Sequence, residues 1–515
     1  VTLVKQFCHY LPSTNDQFRA LNHFYAFLSS YLKSDSMEFG DDQSMELMAK
    51  VFGSGEFLWE EFSRLQAHNL VDLFRNQDHL KVKKTKADYL REFSEIEGPF
   101  EVKMKLINAK KDKELFRLDL MQLVYPSFTF QEFSKSLCFL AEVCVQKVFS
   151  LCYEKCLSRY GSPQVRNKVA EYAILALGKF GSQELGYASD LELLFLYSEN
   201  GKTSGENSVA NQDFFDKVVS LFRKNFKAKT DGIFELDLRL RPYGIDGSLS
   251  NSFTSWREYL KEKAHPIEIQ SCTRLRVIQS SKESFTDDLL EFVDEFIYQP
   301  IDKLAFLEMR AKQLQSHVKK ENNAKYSPGA LADLEYTIQH YQLGYAKDIP
   351  ELKHGNILDL LRVLLQNNLI SIGVFENLSK VYAFYRRLIN ALRLAKGNAK
   401  DLSLPNSNST DMRFLLKRMG YAENQNDLFW QTWNHSIKSV NIFFDSFFHD
   451  KKEDYNPEGI ALAISKGFDG DLELLADSFN IVNAEDLKDD LVQLYNASIE
   501  PELLLGLLVE SAPIV

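Results

Sequence analysis

Asp190 and Glu192 stand two residues apart at the head of a run, Leu191-Glu192-Leu193-Leu194-Phe195-Leu196-Tyr197, with the composition of a buried strand. A strand alternates its side chains between two faces, so both carboxylates point one way while Leu191 and Leu193 point the other. Two carboxylates held that close repel unless a cation lies between them. An oxygen-only pair suits a hard divalent ion such as magnesium. A second stretch alternates in the same way: Leu236, Leu238 and Leu240 against Glu235, Asp237, Arg239 and Arg241, with Pro242 as the stop. Two acids and two arginines on one strand face are costly to desolvate without a ligand. A metal held by Asp190, Glu192 and Asp237, with a triphosphate held by Arg239 and Arg241, would satisfy them all. For either strand alone, a solvated antiparallel face with charges pairing across strands is the plainer alternative. The two together, behind a glycine-rich turn, favour a site.

Those strands need a turn and a core to position them. Residues 172–177 are continuously apolar, the pattern of a central strand. Gly178, Gly181 and Gly186 punctuate the turn that follows, and Ser182 is placed to cap a short helix over 183–185. Gly178, Gly181 and Ser182 would bring backbone N–H groups and a hydroxyl to a polyphosphate, with Lys179 adding a cation. An ordinary strand-to-helix turn also wants glycine, and this one is not a Walker A loop, because no Gly-Lys-Ser/Thr follows at that spacing. Glu184 reads as an exposed first-turn acid. Residues 164–170 read as a polar linker, 198–210 as a loop, and 214–226 and 253–263 as helices. Residues 270–279, where Arg274 and Arg276 alternate with Leu275 and Val277, read as a further strand.

On either side the apolar spacing is helical. Residues 1–165 form an N-terminal helical region ending at Gly161, a suitable C-cap. Residues 166–282 are the mixed core. Residues 283–450 carry six predicted helices, over 285–299, 304–320, 330–346, 357–370, 379–395 and 427–448, which suits an antiparallel bundle. Residues 451–515 read as a charged linker and a small helical segment. The fold class is α+β: a mostly helical chain around a small sheet, followed by a bundle.

Composition narrows the function. At 515 residues, two to four domains are expected. The net charge of −11 disfavours a nucleic-acid partner, which needs a basic footprint. The one basic run, Lys81 to Lys86, reads as a solvated helix end or loop. No span of about 18 apolar residues is evident, and the first residues lack the order of a signal peptide, so no membrane partner and a cytoplasmic location are expected. Cys138, Cys144, Cys152 and Cys156 fall in one helical stretch without C-x-x-C spacing and read as small buried hydrophobes.

Gly181-Ser182 followed by Asp190-Leu191-Glu192-Leu193 resembles the signature of nucleotidyltransferases with the polymerase-β fold. The longer text, GKFGSQELGYASDLELLFLY and then LDLRLRPYGIDGSL, resembles the glutamine synthetase adenylyltransferase, or adenylyl-tyrosine phosphorylase, family. PGALADLEYTIQHYQLGYAKDIPEL from Pro328, YRRLINALRLAKGN and LLKRMGY follow in that family's order, and VFGSGEFLWEEFSRL and ELFRLDLMQLV resemble its N-terminal helical region. The resemblance covers roughly residues 45 to 445. Three departures stand out. Glu192 replaces the family's usual second Asp, and Ile267-Glu268 replaces a usual Trp-Glu. The chain also resembles one half of the usual two-half enzyme. It begins at Val1 and ends at Pro513-Ile514-Val515, as an excised half would.

The resemblance implies a magnesium-dependent nucleotidyltransferase that adds AMP to a tyrosine of glutamine synthetase, or removes it by phosphorolysis. Asp190, Glu192 and Asp237 would hold two magnesium ions, and Asp237 would assist the attacking hydroxyl. Gly178, Lys179, Gly181, Ser182, Arg239 and Arg241 would bind the phosphates of ATP, or ADP and phosphate. Asp333 and Glu335 lie in a helical segment of the family that either reaches the cleft or forms a solvated face. A PII signal protein is a candidate second partner. Two alternatives stand beside this: transfer to another protein or a small molecule, and a non-catalytic nucleotide- or PII-binding regulator.

Overall fold

A computed structural model describes residues 2–31, 42–64, 73–74, 77–125, 127–228, 234–300, 302–317, 322–353, 355–396, 401–422 and 424–448. The segment 451–515 lies outside the described residues. Two long helices, Phe100–Val124 and Phe130–Tyr160, dominate the N-terminal region. The second starts on a capping box in which Thr129 and Glu132 each accept the other's backbone N–H, and Gly161 ends it. By length and composition this helix could cross a membrane, with mean hydropathy 1.4 over 18 residues. That corrects the expectation that no such span exists. It is a core helix here: 67% of the window is buried, against helices Lys86–Ser94, Phe100–Val124 and Asn211–Asn225.

The basic run is the expected helix end and loop, with Lys81 and Lys83 exposed, but Lys84 and Lys86 are pinned to these helices. Lys84 pairs with Glu92 at 2.8 Å and Glu114 at 2.9 Å, and Lys86 with Glu142 at 2.6 Å. The expected linker is also structured. Strands β1 (Pro163–Val165) and β2 (Lys168–Val169) form a hairpin turning on Arg166 and Asn167, both at positive φ. A short strand β5 (Lys202–Thr203) within the expected loop pairs with β1.

The main sheet has the order β6-β4-β3-β8. Strand β3 (Tyr172–Ala176) lies antiparallel to both β4 (Leu191–Tyr197) and β8 (Arg276–Ser280). Strands β6 (Leu236–Asp237) and β7 (Asn251–Ser252) each run parallel to β4. The sheet divides two cores. Ile174, Ala176, Leu191, Leu193, Phe195 and Tyr197 join the N-terminal helices. Ala173, Leu175, Leu177, Leu194 and Leu196 join the C-terminal ones. A strand buried on both faces must be apolar throughout, which is why 172–177 reads as one run.

The chain is thus α+β, helices around a small mixed sheet with a helical bundle after it. All six predicted bundle helices form: Glu283–Phe296, Lys303–His317, Leu331–Tyr345, Ile357–Gln366, Ile372–Lys396 and Asn426–Phe448. A further one, Thr410–Arg418, is capped by Ser409. It escapes periodicity because only Met412, Leu415 and Leu416 are buried over its nine residues.

Two expectations near the sheet fail. The second acidic strand stops at Asp237, and residues 239–243 turn instead. Leu236 and Leu238 pack on the N-terminal side, but Leu240 crosses to the other core. The strand expected over 270–279 begins only at Arg276. Pro266–Ser271 is a helix, with Pro266 at its first position and Glu268 bonding back to the His265 N–H at 2.8 Å.

Candidate active site

Glu192 shares a strand face with Leu194 and Leu196, which packs toward the C-terminal helices, so its carboxylate meets those helices rather than bulk water. Asp190 precedes the strand on the same face. Parallel pairing sets Asp237 of β6 opposite Glu192. The turn after β3 is a single helical turn, Gly178–Gly181. Gly178 has φ +51, and a Cβ there would overlap the Glu192 carboxylate. Glycine is therefore required twice, by conformation and by the approach of the acid. A Cβ on Gly181 would strike the Arg274 carbonyl, so that glycine seats the turn on the segment before β8.

These groups open into a cavity of about 290 Å³. Gly178, Lys179, Asp190 and Glu192 line it from the sheet side, Arg274 from the turn before β8, Lys325 from the turn before helix Leu331–Tyr345, and Glu335 and Arg393 from helices. Glu335 stands 3.5 Å from the Lys179 ammonium and 3.4 Å from Arg274. Burial alone would raise the Glu335 carboxyl, but Lys179, Arg274, Arg386 and Lys325 outweigh it and hold it at about 2. Asp190 goes the other way. Burial, then repulsion from Asp237 and Glu235, pushes it up to about 6. Burial also raises Glu192, with Asp237 adding and Lys325 and Arg274 opposing. Asp237 is resisted by burial yet ends below its ordinary value, because Arg239 hydrogen-bonds it. Asp190 Oδ1, Arg274 Nη2 and Arg393 Nε are buried with no hydrogen-bond partner. Three unsatisfied polar groups around one cavity are the mark of a surface built for a ligand.

Among the described residues no three His, Cys, Asp or Glu side chains stand close enough together to hold a metal as they lie. Asp237 is turned onto Arg239, with Oδ2 accepting from Nη2 at 2.6 Å. The donor chemistry nonetheless fits a divalent cation. All the donors are oxygen, Asp190 Oδ1 lacks a partner, and burial together with repulsion from Asp237 raises both Asp190 and Glu192. Asp190 and Glu192 are placed to hold it directly, and Asp237 would have to leave Arg239 to join them.

The predicted phosphate ligands divide. Gly178 and Lys179 line the cavity. Gly181 and Ser182 face a separate recess beside Asn356 and Asp359. Ser182 is the C-cap of the one-turn helix rather than the cap of a following one, and its hydroxyl donates to Glu184 at 2.8 Å. Arg239 is exposed and rests on Asp237. Arg241 is buried and donates to the carbonyls of Leu238, Ile245 and Gly247 at 2.5, 3.0 and 3.1 Å, so its guanidinium holds a loop. Glu184, expected to be exposed, is buried. It accepts from Tyr382 and the Ile357 N–H, which ties the turn to the bundle. Asp333 is also buried, accepting from Arg310 at 2.5 Å and the Gly329 N–H at 2.8 Å.

Sequence reasoning missed Lys325, Arg393 and the cavity-facing role of Arg274. Lys325 precedes a helix, and Arg393 falls within a helix rich in basic residues, so neither carries a local signal. For Glu335 the signal existed, since it shares the Leu331–Tyr345 helix with Gln339 one turn on. Only packing chose the cleft over solvent.

Residues 45–291 match the family model described as glutamate-ammonia ligase adenylyltransferase, and residues 302–448 that of GlnD PII-uridylyltransferase. The chain is similar to a bifunctional glutamine synthetase adenylyltransferase/adenylyl-removing enzyme of Hahella chejuensis, 29% identical over 56% of this chain and 31% of that protein. A protein of the same description from Vibrio parahaemolyticus is 28% identical over 65% of this chain and 36% of its own length. The chain thus spans about a third of the curated relatives it matches. The acid-bearing strand and the glycine turn fall inside the segment matched to the adenylyltransferase model, and the helix of Glu335 inside the one matched to the uridylyltransferase model.

Proposed function

We propose that this chain is a magnesium-dependent nucleotidyltransferase that adds AMP to a tyrosine of glutamine synthetase or removes it with phosphate. The observation that carries this reading is the unneutralised pair Asp190 and Glu192, facing Lys179 and Arg274 across one cavity inside a segment that matches the family. Bound magnesium would supply charge neutralisation at the transferring phosphoryl group. Asp190 and Glu192 would hold the divalent ions. Lys179 and Arg274 hold the polyphosphate that leaves, in place of Arg241, whose donors serve the loop. Asp237, released from Arg239, takes the proton of the attacking tyrosine hydroxyl. In the reverse direction inorganic phosphate attacks the same phosphorus and the tyrosine oxygen leaves with that proton.

The match of residues 302–448 to a PII-uridylyltransferase description supports a PII-type signal protein as a second partner. The Asp237–Arg239 pair favours one other reading, a regulator that binds nucleotide without turnover. Intact-mass spectrometry of glutamine synthetase, unmodified and adenylylated, after incubation with this chain, magnesium and either ATP or phosphate, separates them. A gain of one AMP establishes the transferase direction, and its loss with phosphate the phosphorolytic one. Nucleotide binding with no mass change in either arm would overturn the enzyme reading.

A further inference from the structure

Two rungs join the Pro266–Ser271 segment and its continuation to helix Leu331–Tyr345, one helical turn apart. The charged rung is Arg274 with Glu335. The neutral rung is Gln270 with Gln339, Nε2 of the first donating to Oε1 of the second at 2.9 Å. Both glutamines are almost wholly buried and both line the cavity. Two amides can in principle flip, but here a third group sets their direction. The Thr273 hydroxyl has one proton and donates it to the Gln270 carbonyl at 2.8 Å. It can then only accept, and it accepts Gln339 Nε2 at 3.1 Å. Gln339 must therefore turn its oxygen to Gln270, and Gln270 must offer its nitrogen. Gln270 Oε1 is left as a buried acceptor with no partner. An amide oxygen oriented this firmly and left unpaired costs free energy unless a ligand donates to it.

The neighbours of this oxygen say which ligand. Ile267, about one turn before Gln270 on the Pro266–Ser271 helix, gives the cavity an apolar wall beside this rung, whereas Lys179, Arg274 and Glu192 surround the charged one. From this arrangement we infer that Gln270 selects the base: its oxygen accepts from an exocyclic amino group, while the charged rung takes the phosphates. The inference rests on the nucleotide reading above and adds its specificity. A 6-amino purine donates to Gln270 Oε1. A 6-keto purine places an oxygen against that oxygen and is refused, because the Thr273 chain prevents the amide from flipping.

ATP and inosine triphosphate differ at the 6-position substituent and the adjacent ring proton, so they isolate this contact. Equilibrium calorimetry on the full chain with magnesium, with no protein substrate present, is expected to show ATP binding at least about tenfold tighter than inosine triphosphate. Gln270→Leu removes the acceptor and should reduce that ratio to near one. Thr273→Val removes the group that orients the chain without touching the cavity, and should relax the ratio even where Gln270→Leu fails to fold. A merely structural rung would weaken both nucleotides alike and leave the ratio standing. ATP binding without discrimination, or discrimination that survives in the folded variants, overturns the assignment of Gln270 alone. Failure of the folded wild-type chain to bind either nucleotide overturns the nucleotide site itself, and this inference with it.

Discussion

Two buried charged clusters in this protein make opposite use of the same expense. In the N-terminal region Glu114 lies between Lys84 and Arg117, each 2.9 Å away. Burial would raise its carboxyl, and the two cations outweigh burial and hold it below its ordinary value. In the cleft Asp190 is only half-buried, yet burial, with Asp237, Glu235 and Glu192 adding and Arg393 opposing, drives it up to about 6. In the first cluster the acid is fully paired with cations, and that pairing ties helices together. The second is left electrostatically incomplete, and a ligand is what completes it. A perturbed acid alone does not mark a function; the direction of the perturbation, and the unpartnered oxygen with it, separates the two.

The comparison breaks most visibly at Asp190. Asp190→Ala should lower transfer by about 10³-fold or more, since several kcal/mol of metal-dependent stabilisation is lost. Folding should be retained, as read by a single cooperative melting transition no lower than that of wild type. Full activity in that variant would remove Asp190 from the site.

Glu114→Gln is the counterpart. Lys84 and Arg117 would be left without their carboxylate, and the variant should lose about 3–4 kcal/mol of stability at neutral pH in denaturant titrations. Because the folded Glu114 is depressed, its contribution is present above the unfolded value and fades as pH falls through the folded one. The gap to wild type should therefore narrow in acid. A constant gap would mean that the pairing is not its source.

Asp190→Asn sharpens the contrast through the opposite sign. A carboxyl raised to about 6 binds its proton more tightly when folded than when unfolded, so stability falls as pH rises from about 4 to 6. Wild type should gain stability on acidification across that window, and the Asn variant should not. At pH 8 the variant should be the more stable by on the order of 1–3 kcal/mol. Magnesium should stabilise wild type at that pH and leave the variant unmoved.

The smallest effects separate the two arginines. Arg241→Ala deprives three carbonyls of their donor and should cost about 1–3 kcal/mol in thermal unfolding. Arg239→Ala removes an exposed ion pair and should change stability by less than about 0.5 kcal/mol. Equal effects would contradict the different burial of the pair.

Much of this was legible beforehand. The acid pair, the continuous apolar run of β3, the glycine turn and six bundle helices follow from side-chain period and composition. The failures cluster where a tertiary contact overrides a local pattern. Residues 236–241 alternate as a long strand would, yet the chain turns after Asp237, where Arg241 gathers three loop carbonyls. Glu184 looked like a surface acid until Tyr382 and the Ile357 N–H were brought to it from the bundle. Residues 166 and 167 sit at positive φ in a hairpin that a polar composition disguises as linker.

By itself, then, the sequence determined strands β3 and β4, the glycine turn between them and that Asp190 and Glu192 share a face, because those properties depend on period and on neighbours a few residues away. Only the tertiary structure decided which charges answer them. Arg274, Lys325, Glu335 and Arg393 reach the cleft from elements about 80 to 200 residues downstream, carried there when the second hydrophobic core closes over the sheet. Side-chain periodicity is a property of the local backbone, whereas the pairing of distant charges is set by how two cores pack, and no local pattern records it.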